Sequence, residues 1–226
     1  MRSCKISTIA LTSILSFTTL IAQYNYDESK VPAYELPELL QLNDGTPVKD
    51  AATWNEKRRA EVLELFRSEV YGRRPGRPKA LRAEVTKKDA SALGGKARRR
   101  EVKIHFTSKE NGPSMNMLLY LPAKAKKPAP AFLGLNFRGN PTVSKDPGIT
   151  LRKGDKESDR GKSSGRWQAE MVIDRGYALA TIWYGDIEPD DKRNAFSQGI
   201  HRVYGPANKI PPDGWGSIAA WGWGLS

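Results

Sequence analysis

The feature that most limits what this chain can fold into is a pair of short apolar runs with a helix-patterned segment between them. Ala131 to Asn136 (AFLGLN) and Tyr177 to Tyr184 (YALATIWY) are almost wholly apolar and bounded by Pro or Gly, which predicts strands buried on both faces. Trp167 to Arg175 (WQAEMVIDR) reads as a helix stopped by Gly176. Ahead of this unit lie three strand-like stretches, Leu81 to Thr86, Glu101 to Phe106 and Met115 to Leu121; in the second, Val102, Ile104 and Phe106 alternate with polar residues. Thr53 and Glu56 form a T-x-x-E capping box before an amphipathic run in which Trp54, Leu63, Phe66 and Val70 recur at helical spacing up to Gly72. Lys145 to Arg166 and Gly185 to Trp215 read as long exposed loops, and Ile218 to Leu225 as a further helix.

A meander of strands followed by strand, helix, strand and helix is the order in which an α/β-hydrolase sheet is entered. The expected fold class is therefore α/β: an α/β-hydrolase three-layer sandwich around a mixed, mostly parallel sheet. The loops after Asn136 and after Tyr184 then fall at the carboxyl ends of strands, where such sheets place their active sites.

At 226 residues the chain can bury a sizeable core, and with 38% hydrophobic residues it is no polytopic membrane protein. Arg2 and Lys5 precede an apolar and hydroxylic run from Ile6 to Ala22, the pattern of a secretory signal peptide over residues 1–22. An uncleaved anchor is the alternative, since Leu20 suits cleavage after Ala22 poorly. The expected location is secreted or periplasmic, with no stable membrane insertion after cleavage. The single cysteine, Cys4, lies in that peptide, so the remaining chain has no disulfide. A net charge of +12 attracts anions.

Five segments, VPAYELPELL, RRAEVLELFRSEVYGRRP, LGLNFRGNPTV, SGRWQAEMVIDRGYALATIWYGDIEPDD and WGSIAAWGWGLS, occur in the order seen in carbohydrate esterase family 15, and the chain resembles the amino-terminal half of those glucuronoyl and acetyl xylan esterase-like proteins. The resemblance implies a secreted serine esterase that needs no cofactor, works as a monomer at full length, and cleaves 4-O-methyl-glucuronoyl esters on glucuronoxylan. In that family the nucleophile sits in a G-x-S-R-x-G elbow, followed by the acid and the histidine. The resemblance places all three beyond Ser226, so residues 23–226 are expected to be the amino-terminal portion of one domain, incomplete at its C-terminus, inactive and poorly soluble alone.

Within the chain, Asn136, Phe137, Arg138, Gly139 and Asn140 close a buried strand where α/β-hydrolases supply an oxyanion N–H, and Gly139 permits close approach of backbone. The competing reading is an ordinary turn with Arg138 paired to a carboxylate. Gly161-Lys162-Ser163-Ser164-Gly165 satisfies G-x-S-x-G, with Asp186 or Asp190 and then His201 in triad order, but no buried strand precedes Ser163, so a solvated loop is expected. Asp186, Glu188, Asp190 and Asp191 collect four acids without EF-hand spacing, which reads as a solvated loop, with no metal site expected. His105 reads as a surface residue and His201 as a loop residue. Trp215, Trp221 and Trp223 could be sugar platforms, though packing is the expected role of the last two; the same holds for Trp183 and Tyr184. Residues 57 to 103 carry 16 Lys or Arg against 6 acids, which suits an acidic glycan or simple solubility. That region supports a second hypothesis, a non-catalytic secreted module that binds acidic polysaccharide. Nucleic acid is not expected as a partner, because no recognition motif accompanies the charge.

Overall fold

The computed structural model describes residues 25–194, 196–204 and 210–226, so the segment read as a signal peptide lies outside the described residues. The chain divides into two units, Met1–Leu39 and Leu40–Ser226. In the first, the described residues are extended and exposed except for one 3-10 turn, Glu28–Lys30, capped by Asp27.

The second unit is built on five strands: β1 Arg82–Ala92, β2 Ala97–His105, β3 Ser114–Pro122, β4 Ala131–Asn136 and β5 Ala178–Trp183. They lie in the order β1-β2-β3-β5-β4. The first three pair antiparallel, β3 pairs antiparallel with β5, and only β4 and β5 are parallel. The sheet is mixed, as the element order predicts, but mostly antiparallel rather than mostly parallel. The meander supplies most pairings, and a single crossover through the helix Ala169–Asp174 supplies the parallel one.

Both faces of the sheet are covered around β3 and β5, whereas β1 is almost wholly exposed. On one face Leu118, Tyr120 and Leu179 pack with Val143, Ile149 and Ile173. On the other, Met115 and Ile182 pack with Ile187, Ile200, Trp215 and Trp223, the last from the helix Ser217–Gly224. β4 departs from expectation: Phe132 and Leu133 are 57% and 48% exposed rather than buried. Among the described residues nothing pairs with the outer edge of β4, so its apolar residues stay uncovered.

The helix predicted around residue 60 forms as a continuous run over 51–70, in which α and π turns alternate. Its cap is Asp50, whose side chain accepts from the Thr53 N–H at 2.7 Å, and not Thr53 itself. Capping requires extended backbone at the cap, which Asp50 has and Thr53, already helical, does not. Phe66 and Val70 on the expected apolar face remain exposed. The run is held instead by buried Arg58, which donates to Asn43 and Glu61, and by Arg73 beyond its end, which pairs with Glu64 and Asp213.

His105 is also a correction: it is buried, with Nε2 3.5 Å from Glu84 on the neighbouring strand, because β1 covers that side of β2. The segment from Lys145 to Arg166 is likewise less free than expected. Asp146 accepts from Arg99 on β2 and from the Tyr120 hydroxyl on β3, at 2.5 and 2.8 Å, and Arg160 donates to the Ile149 carbonyl. Burial pushes the Asp146 carboxyl up, but Arg99, the Tyr120 hydroxyl and the Gly148 amide outweigh it and hold the group below its ordinary value. Removing one member of such a buried pair strands the other charge. Asp146→Ala should therefore cost about 3–5 kcal/mol of stability in urea melts, and Asp146→Asn, which also strands the Arg99 charge and sets an NH2 against a donor, should be clearly destabilising too.

Candidate active site

The end of β4 is fixed by one side chain. Asn136 is 1% exposed, and its Nδ2 donates to Thr181 Oγ1 on β5 at 3.1 Å and to Asn140 Oδ1 at 2.8 Å. Its Oδ1 accepts from the Gly139 N–H at 2.7 Å, closing the chain into a tight turn. Gly139 has φ 96° and ψ 153°, a region reserved for glycine. A Cβ there would also lie 2.5 Å from Arg152 Nη2, so any other residue would strain the backbone and push that guanidinium aside. The Gly139 carbonyl in turn accepts from the Thr142 amide and hydroxyl.

The network continues across the strand ends. Asn140 Nδ2 donates to the Asn116 carbonyl on β3 at 2.9 Å. The Asn116 amide and side chain both donate to Asp186 Oδ2, at 2.9 and 3.0 Å. Arg152 lies 3.8 Å over the Trp183 ring and forms a two-point pair with Asp155, while Trp183 Nε1 donates to the Phe137 carbonyl at 3.3 Å. The turn thus has polar anchors on β3 and β5 and an arginine wedged behind it.

Of the residues expected at this loop, Asn136 and Gly139 are buried and structural. Phe137 and Arg138 are exposed, with the Phe137 ring 5.0 Å from that of Tyr184. No ion pair of Arg138 occurs among the described residues, so the ordinary turn with a salt-bridged arginine is not what forms. The Arg138 N–H likewise has no acceptor among the described residues. Beside it opens a cavity of about 330 Å³, walled by Asn136, Arg138, Lys162, Ser163, Arg166 and Trp167. A larger hollow of about 670 Å³ opens beside Lys96, Ser144 and Gln168, at the turn between β1 and β2.

The remaining candidates are not brought together. Ser163 sits at this cavity, its amide bonded to the Thr142 carbonyl. His201 is 1% exposed between Phe196 and Trp215, ring centroids 4.4 and 4.6 Å away. Its Nε2 donates to the Trp215 carbonyl at 2.9 Å, and Nδ1 lies 2.8 Å from Glu188 Oε2. With Nε2 taken by the Trp215 carbonyl, His201 does not offer that nitrogen to Ser163 as a base. The acids of the 186–191 loop also take separate partners, Asp186 on Asn116, Glu188 on His201 and Asp191 on Arg193. Trp215 and Trp223 are buried against each other, and Trp221 donates to the Glu188 carbonyl, the packing role expected for the last two. Asn116 and Arg152 carried no local signal in the sequence, since Asn116 acts on Asp186 and Arg152 on Trp183, far along the chain.

Burial pushes the Asp186 carboxyl above its ordinary value, with the Asn116 donors and Arg152 opposing. A raised carboxyl is at less disadvantage when protonated, so its charged form weakens the fold as pH rises through the folded pKa. Asp186→Asn keeps the acceptor for Asn116. The variant should gain stability relative to wild type between pH 4 and pH 7, the difference vanishing below the ordinary carboxylate range, as measured by melts at each pH.

No family model matches the chain. A carbohydrate esterase from an unknown prokaryotic organism is 46% identical over 90% of this chain and 50% of its own length. A glucuronoyl esterase from Solibacter usitatus is 44% identical with TM-score 0.80, covering 88% of this chain and 53% of that one. A promiscuous family 15 esterase from a marine bacterial metagenome is 44% identical with TM-score 0.75, over 90% and 54%. The chain spans about half the length of the relatives it matches. Its close sequence and structural homologues are carbohydrate esterase family 15 enzymes, and its fold is the α/β-hydrolase fold that the order of elements predicts.

Proposed function

We propose, for a chain whose close homologues are family 15 esterases, that it forms part of a secreted serine carboxylic ester hydrolase acting on glucuronoyl esters of glucuronoxylan. The observation that carries this reading is the Asn136–Gly139 turn, held rigid at the carboxyl end of β4 with the Arg138 N–H free of any acceptor among the described residues. When a serine hydroxyl attacks an ester carbonyl, negative charge develops on the carbonyl oxygen, and a donor fixed in advance stabilises it without reorganising. Asn136 occupies the Gly139 amide, which leaves the Phe137 and Arg138 amides as the donors this turn can offer. The substrate class follows the Solibacter relative, a glucuronoyl esterase.

In this reading the serine, acid and histidine are supplied by sequence outside these 226 residues, because Ser163 and His201 lie in separate environments. Serine acyl transfer needs no cofactor. The full-length protein works as a monomer, with the apolar edge of β4 covered. Export fits residues 1–22, and no helix among the described residues is long and apolar enough to cross a membrane. The alternative, a module binding acidic polysaccharide through residues 57 to 103, is weaker. Arg58, Arg73, Arg82, Lys96 and Arg99 of that region are spent in ion pairs within the fold.

Fusing the chain to the part of the Solibacter enzyme that it does not span tests this reading. The fusion should hydrolyse a benzyl ester of glucuronic acid, while the 226-residue chain alone stays at the buffer rate. A fusion that melts cooperatively yet leaves that ester intact, or turnover by the chain alone, would overturn it.

A further inference from the structure

We propose that Trp183 is a positioning residue for the candidate site: its indole N–H holds the Phe137 carbonyl and so aims the Arg138 N–H out of the turn, where a developing negative charge can meet it. In a planar trans peptide the C=O and the N–H point in opposite directions. The Phe137 carbonyl and the Arg138 N–H belong to one such plane. Trp183 Nε1 donates to that carbonyl at 3.3 Å from the end of β5, and among the described residues no other donor reaches it. On the far side of the plane, nothing among the described residues accepts from the Arg138 N–H. The next plane is held separately, its Gly139 N–H on Asn136 Oδ1 at 2.7 Å and its Arg138 carbonyl 3.5 Å from Arg152 Nη2. Asn136 therefore fixes one plane of the turn, and the direction of the other is left to Trp183.

The indole is itself held in place. Trp183 closes β5 in register with Asn136. The Arg152 guanidinium lies 3.8 Å over its ring, and Asp155 holds that guanidinium at two points, 3.1 Å from Nε and 2.9 Å from Nη2. Gly185 lies against the benzo part of the ring, where a Cβ would come within 2.5 Å. The φ of Gly185 is not in the left-handed region, so the ring and not the backbone angle is what asks for glycine there. A donor fixed by its neighbours in this way does not reorganise when charge appears on the other side of the peptide. Packing alone would be met by any flat ring at this position, and the N–H is what phenylalanine lacks. That the aimed amide serves an ester oxygen rests on the proposed function; the direction of the amide does not.

Residual dipolar couplings measured on the 226-residue chain report the direction of the Arg138 N–H without any need for activity. Trp183→Phe keeps a ring beneath Arg152 and removes the donor, and Gly185→Ala keeps the donor and displaces the ring. Both should change the Arg138 coupling while those of β3 and β5 hold. Trp223→Phe, which deletes an indole bond to the Gly76 carbonyl at 3.2 Å, is the same chemical change at another place and should leave Arg138 as it is. In the fusion with the remainder of the Solibacter enzyme, Trp183→Phe should lower kcat about tenfold, short of the loss of a whole oxyanion donor, with KM held within about twofold, because the amide acts on the transition state. An Arg138 coupling unmoved in Trp183→Phe, an equal change in Trp223→Phe, or an active fusion whose kcat survives the substitution refutes the proposal. A wild-type fusion without activity counts against the esterase reading instead, and the couplings still decide where the amide points.

Discussion

The buried amide of Asn136 is the constraint on which the candidate site depends. Three hydrogen bonds from a single side chain reach the neighbouring strand at Thr181, the following loop at Asn140 and the backbone of its own turn at Gly139. Each buried polar group unpaired in such a place costs about 1–3 kcal/mol, so the side chain fixes the turn as firmly as a strand pairing would. A turn so fixed leaves its outward backbone groups, the Arg138 amide among them, with defined positions rather than a range of them. That is what a donor for a transient charge needs.

Around this point the rest of the second unit acts as support. The parallel pairing of β4 with β5 sets Asn136 opposite Trp183, and Arg152 fills the space behind Gly139 while resting on the Trp183 ring. Asp186 holds the Asn116 end of the network. On the other face, the Glu188 and His201 pair closes the long loop after β5 onto Trp215 and Trp221. Both residues are buried 2.8 Å apart, with the other ring nitrogen of His201 at the Trp215 carbonyl, so the pair acts as a clasp on this loop.

The strands were legible from apolar pattern: Val102, Ile104 and Phe106 recur at every second position at β2, and β4, β5 and the helix between them fall where the apolar runs place them. The loop Asn136 to Gly139 was legible by its place after a buried strand. What the sequence did not carry were contacts between distant residues. Asp50 and Thr53 are both good caps, and only backbone angles decide between them. His105 reads as a polar position on an alternating strand until Glu84 is brought beside it. Arg152 reads as one more charge in a basic loop, and its partners Trp183 and Gly139 lie 31 and 13 residues away along the chain.

Native-state hydrogen exchange at Gly139 and Arg138, in wild type and in Asn136→Ala, tests the central claim most directly. The locked turn predicts a Gly139 amide protected by orders of magnitude over the Arg138 amide, with that protection lost in Asn136→Ala while the β3 and β5 amides keep theirs. Equal, fast exchange of both amides in the wild type, or protection at Gly139 that survives loss of the Asn136 side chain, would contradict it.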